Sequence, residues 1–137
     1  MTTWRYGYPQ HHSDYPDPGP EIEHLVVLQD QRGLPAHLLL GNREHPPGSQ
    51  AEPGDELLLC LPEAGKYVAV ARAMVSGRAT QRTIPEGHEA IYDVGPRRWW
   101  LPVRIERLPR ALTEEDLGLA ESDLQPRGQA FVWRLES

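Results

Sequence analysis

Four adjacent residues, Arg97-Arg98-Trp99-Trp100, are the most distinctive local composition in the chain. A guanidinium is planar, permanently charged and forked, which suits phosphate oxygens and base edges. An indole offers a flat face for stacking. Other arginines surround the group. Residues 66–110 hold nine Lys/Arg against four Asp/Glu, a net of +5, and eight of those nine cations are Arg. Residues 1–65 carry −7 and residues 111–137 carry −4, so a basic island sits in a chain of net charge −6. The net charge speaks against nonspecific nucleic-acid binding, but its distribution allows one positive face. The competing reading is an ordinary set of solvated strand faces with an aromatic plug.

Other reactive side chains fit less well. Glu44 and His45 form an acid/base pair on paper, but adjacent residues in a polar loop do so by chance. His11, His12 and Asp14 have no metal-site spacing, so no metal and no cofactor are expected. Cys60, the one cysteine, lies inside an apolar run and reads as a small core residue; no disulfide framework exists. No catalytic residue is assigned. No apolar run approaches the roughly 18 residues needed to span a bilayer. The N-terminus lacks a charged-then-apolar signal pattern, so a cytoplasmic protein without membrane contact is expected.

These residues must be positioned by one domain of 137 residues. Residues 53–76 read as a long hairpin. Pro53-Gly54-Asp55 is turn chemistry, residues 57–61 are a buried strand, and residues 67–75 return after a reversal at Pro62-Glu63-Ala64-Gly65. Ala69, Ala71 and Ala73 along the return strand leave room for a sheet closing on itself. Residues 1–20, rich in Pro, Gly and Tyr, read as an extended or disordered arm, and residues 21–137 as the domain. Residues 22–28 read as a strand from Val26 and Val27. Residues 34–40 fit a short helix or a short strand. Gly41 to Gly54 is a long loop of the kind that often carries function.

From Trp99 to Leu108 apolar and charged residues alternate. Leu101, Val103 and Ile105 assign odd positions to the core, which makes Trp99 the core ring and sends Trp100 outward beside Arg98 and Arg104. Thr113 is placed to cap a short acidic helix, and residues 129–135 form a terminal strand. The whole is α+β: a small, partly closed β-barrel of five to six strands with one or two short helices.

The order of these pieces resembles the PUA-like superfamily, most of all its EVE-type domain, a relative of the YTH and ASCH domains. The resemblance rests on four stretches: Pro53-Gly54-Asp55 with the strand after it; Val68-Ala69-Val70-Ala71-Arg72-Ala73-Met74-Val75; residues 103–113, with Leu108-Pro109 and Leu112-Thr113; and the strand after Gly128. It covers roughly residues 21–136. It implies a PUA-like barrel that recognises nucleic acid, DNA or RNA, through a modified or flipped-out base held in an aromatic and Arg-lined cleft. On this sequence Trp99 or Trp100, or the aromatic N-terminal arm, takes the stacking role. Arg78, Arg82, Arg97, Arg98 and Arg104 take phosphates, and Asn42 with Arg43 or the loop backbone takes the base edge. The ASCH branch implies an alternative, a small amidohydrolase acting on modified nucleosides. That chemistry falls on Lys66, the one lysine, for which no threonine–carboxylate partner is spaced. A protein-interaction module is the third reading.

Overall fold

The computed structural model describes residues 1–7, 18–41, 44–46, 48–92, 94, 97–125 and 132–135. One curled sheet of seven strands forms a half-barrel, accompanied by two helices. The strands are β1 (Thr3–Gly7), β2 (Ala36–Gly41), β3 (Glu56–Glu63), β4 (Lys66–Val75), β5 (Thr80–Arg82), β6 (Arg98–Leu112) and β7 (Val132–Arg134). The helices are α1 (Pro18–Gln31) and α2 (Glu114–Leu117). The sheet order is β2-β6-β4-β3-β1-β7, with β5 on β6.

The hairpin is β3–β4, with register shifts at Leu59/Cys60 and at Ala69/Ala71, where the sheet bends. Ala69, Ala71 and Ala73 are fully buried on the strand between β3 and β6. The barrel seam is drawn together by side chains. The Tyr6 hydroxyl donates to Leu39 O at 2.6 Å, tying β1 to β2. Gly48 fits between Val132 and Leu40; its φ is +90°, and an added Cβ would lie 3.0 Å from Val132.

The N-terminal arm expectation is corrected. Thr3–Gly7 lies within the sheet, parallel to β3 and antiparallel to β7, with Trp4 and Tyr6 buried in the main core. Burying two aromatics and completing two ladders outweighs the disordering composition around them. Arg5 points to the opposite face. Its guanidinium lies between Trp133 (4.2 Å) and Tyr67 (4.8 Å), and its Nε donates to Leu124 O. That side chain crosses Gly7, where an added Cβ would collide with its guanidinium. The arm's residues 8–17 lie outside the described residues.

The strand expected over residues 22–28 is a helix. Ile22, Leu25 and Leu28 are buried in the core at helical spacing, and this one-sided burial overrides the β-preference of Val26 and Val27. Residues 36–41 resolve as a strand. α2 has the expected cap: the Thr113 hydroxyl accepts from Asp116 N–H, and the Asp116 carboxylate accepts from Thr113 N–H. Asp55 anchors the 53–55 turn. Its carboxylate accepts from Thr2 N–H, Glu52 N–H and the Trp4 indole at 3.0–3.2 Å. Burial alone would raise this carboxyl's pKa; the three hydrogen bonds outweigh it and hold the group below its ordinary value.

Candidate nucleic-acid interface

The first turn of β6 sets the geometry. It pairs with β5 through Arg82↔Arg98, Gln81↔Trp99 and Thr80↔Trp100, and with β2 through Leu39↔Trp100 and Gly41↔Trp99. Directly opposed residues share a face, so Arg82 and Arg98 stand side by side across the ribbon with Trp100. Trp99 and Gln81 occupy the other face. Arg97, just before β6, donates from Nη2 to Gln81 O at 2.8 Å. Three arginines therefore gather at one end of the β5–β6 ribbon.

Five further island arginines form ion pairs with the acidic thirds of the chain. Arg72 meets Glu56 (3.7 Å), Arg78 meets Glu52 (3.4 Å), Arg104 meets Asp30 (3.9 Å), Arg107 meets Glu23 (2.7 Å) and Arg110 meets Asp116 (3.2 Å). Such exposed pairs are worth at most about 1 kcal/mol each, but they cancel local potential. Of the arginines expected in one groove, the structure brings Arg82, Arg97 and Arg98 together. It places Arg78 at the loop that holds Glu52, and Arg104 against α1. Asn42 and Arg43 lie outside the described residues.

The two tryptophans differ from expectation in one respect. Trp99 shares its face with Leu101, Val103 and Ile105 and packs, partly buried, against the main core at the end of the ribbon. Its indole N–H is buried without a hydrogen-bond acceptor. Trp100 points to the opposite face, as parity requires, but that face is not open. Residues 83–92 cross it, and Trp100 is 0% exposed in a second cluster with Leu39 and Tyr92. The Trp100 ring stands edge-on to Tyr92 (5.1 Å) and His88 (5.9 Å). Trp100 is therefore a core residue of this face and not the outward ring expected, and Trp99 is the less buried of the two.

The remaining sequence candidates are placed as follows. Lys66 is exposed at the β3–β4 turn, in register with Glu63. Glu44 and His45 are 4.0 Å apart with side chains 92% and 82% exposed, a solvated pair. Cys60 is fully buried, and burial pushes its thiol up to about 12. His11, His12 and Asp14 lie outside the described residues. Among the described residues no cluster of His, Cys, Asp and Glu has metal-binding geometry, and no helix is long and apolar enough to cross a membrane.

A polar group that sequence reading missed lies under residues 83–92. His37, His88 and Glu21 are buried there with Tyr92, whose hydroxyl donates to the Glu21 carboxylate. Their separation along the chain hid the group; the one local signal was the turn Pro85-Glu86-Gly87 just before His88. No protein-family model matches the chain, and no curated protein matches it.

Proposed function

We propose that the protein is a nucleic-acid-binding module that engages a single strand at the β5–β6 ribbon end. What carries the reading is the gathering of Arg82, Arg97 and Arg98 at one end of the β5–β6 ribbon, with the partly buried Trp99 ring on the ribbon's other face. In this reading the arginines fork onto successive phosphates, and a base stacks on the Trp99 indole for about 1–3 kcal/mol. The likeness to PUA-like, EVE-type domains adds a flipped-out or modified base as the preferred ligand. The amidohydrolase alternative needs Lys66 in a pocket, and Lys66 is exposed at a hairpin turn.

The test is fluorescence anisotropy with labelled single-stranded DNA and RNA, carrying unmodified and methylated bases, at two salt concentrations. Trp99→Ala is expected to weaken binding by one stacking contact, roughly 5- to 150-fold, while the domain stays folded. Binding by Trp99→Ala equal to wild type removes the stacking site.

A further inference from the structure

We propose that residues 83–92 form a pH-sensitive strap, held closed by neutral His88 and released when that imidazole takes a proton, which uncovers Trp100. This inference does not depend on the nucleic-acid reading. The strap is fastened at three places. The His37 backbone N–H on β2 donates to His88 Nε2 at 3.0 Å. The Tyr92 hydroxyl donates to Glu21 on α1, and His24 Nε2 meets Gly87 O at 3.1 Å. Gly87, at φ +87°, lies so close to α1 that a Cβ would come within 2.7 Å of Leu28.

The His88 contacts fix its protonation state. Because Nε2 accepts from His37, the ring hydrogen sits on Nδ1, which faces Glu86 O at 3.2 Å. A second proton would have to go on Nε2, opposing it to the His37 N–H. That breaks the latch and places a charge in a buried site. The surroundings add to the cost. Burial lowers the affinity of His88 for a proton, and His24 on α1 and Arg82 on β5 act in the same direction; the Glu86 carbonyl and Glu89 on the strap oppose them. The ring also stacks on Tyr92 and stands edge-on to Trp100 and His37. His37 is lowered to about 4 by burial, His88 and Arg82, with the Pro35 backbone opposing them. Glu21 is engaged by Tyr92.

The sign follows from linkage. Both imidazoles hold protons more weakly with the strap closed than in the open form, where the value is about 6.5. Closure is therefore fully favoured above about pH 6.5 and weakens as pH falls below it. The opening equilibrium grows by up to about tenfold per pH unit for each imidazole that gains a proton on opening.

The experiment is amide hydrogen exchange of the full chain from pH 7.5 to 5, corrected for intrinsic exchange, with acrylamide quenching of tryptophan alongside. The expected result is rising exchange at the His37 N–H and across residues 83–92 below pH 6.5, with new quenching. In His88→Gln, whose carbonyl accepts from His37 without titrating, the slope should fall by one proton. Flat exchange in the wild type, or an unchanged slope in His88→Gln, overturns the proposal. Should His88→Gln fail to fold, imidazole nitrogen shifts of the wild type decide. A neutral His88 with its hydrogen on Nδ1 down to pH 6 supports the latch; ordinary titration near 6.5 with the strap closed refutes it.

Discussion

Replacing Trp100 by alanine is the sharpest probe of how the sheet's second face is built. The ring is wholly enclosed, contacting Leu39, Tyr92 and His88. Truncating a buried Trp to Ala costs about 3–5 kcal/mol in lost transfer energy and cavity formation. The edge-on contact with Tyr92 belongs to the class worth about 0.5–1.5 kcal/mol, which puts the loss in the upper half of that range. Against a total stability of about 5–15 kcal/mol this is a large fraction. At roughly 3–5 °C per kcal/mol for a domain of this size, the melting temperature should drop by more than about 10 °C. Urea denaturation followed by far-UV circular dichroism gives the free energy directly, and a calorimetric scan gives the melting shift. A loss below about 1 kcal/mol would refute the reasoning, because it would mean that residues 83–92 leave the ring in solvent. Trp99→Ala is the internal control: only partly buried, it should cost less.

Two further predictions follow from the N-terminal segment. Removing residues 1–7 takes out the strand between β3 and β7 and the aromatics Trp4 and Tyr6; the truncated chain should lose its cooperative thermal transition, and a wild-type-like melt would contradict the placement of β1. Asp55→Ala leaves the donors of Thr2, Glu52 and Trp4 without their acceptor, a loss of about 2–4 kcal/mol at pH 7. Because the carboxyl is held below its ordinary value, its contribution is present above about pH 3.8 and disappears as pH falls through the lower folded-state value. The wild type and Asp55→Ala should therefore converge in stability progressively as pH falls below that ordinary value, as measured by denaturant titration across pH.

The parts of the fold legible in the sequence are those in which local and tertiary forces agree. The β3–β4 hairpin carries its own turn residues and apolar runs, and α2 its own capping box. The alternation along β6 placed Trp99, Leu101, Val103 and Ile105 on one face correctly. Errors arose where tertiary burial decides. Val26 and Val27 favour a strand, yet Ile22, Leu25 and Leu28 bury at helical spacing. Thr3–Gly7 is too short and too close to Pro/Gly-rich sequence to show as a strand, and only its partners β3 and β7 reveal it. Parity told correctly that Trp100 faces away from the main core, but whether that face is open depends on a strap contributed by residues 83–92. The site was legible in part. The arginine content of residues 66–110 was plain, but which arginines are claimed by Glu23, Asp30, Glu52, Glu56 and Asp116 is a matter of three-dimensional neighbours.

The central claim is that Arg82, Arg97 and Arg98 hold phosphates, and the salt dependence of oligonucleotide binding tests it most directly. Three neutralised phosphates on a single strand give a slope of about −2 in log affinity against log salt, from about −0.7 for each. Raising salt fourfold should then weaken binding by roughly twentyfold, and the combined variant Arg82→Gln, Arg97→Gln, Arg98→Gln should bind weakly with a nearly flat slope. Binding by the triple variant with the wild-type affinity and slope, or no binding of any oligonucleotide by the wild type at low salt, would contradict the account.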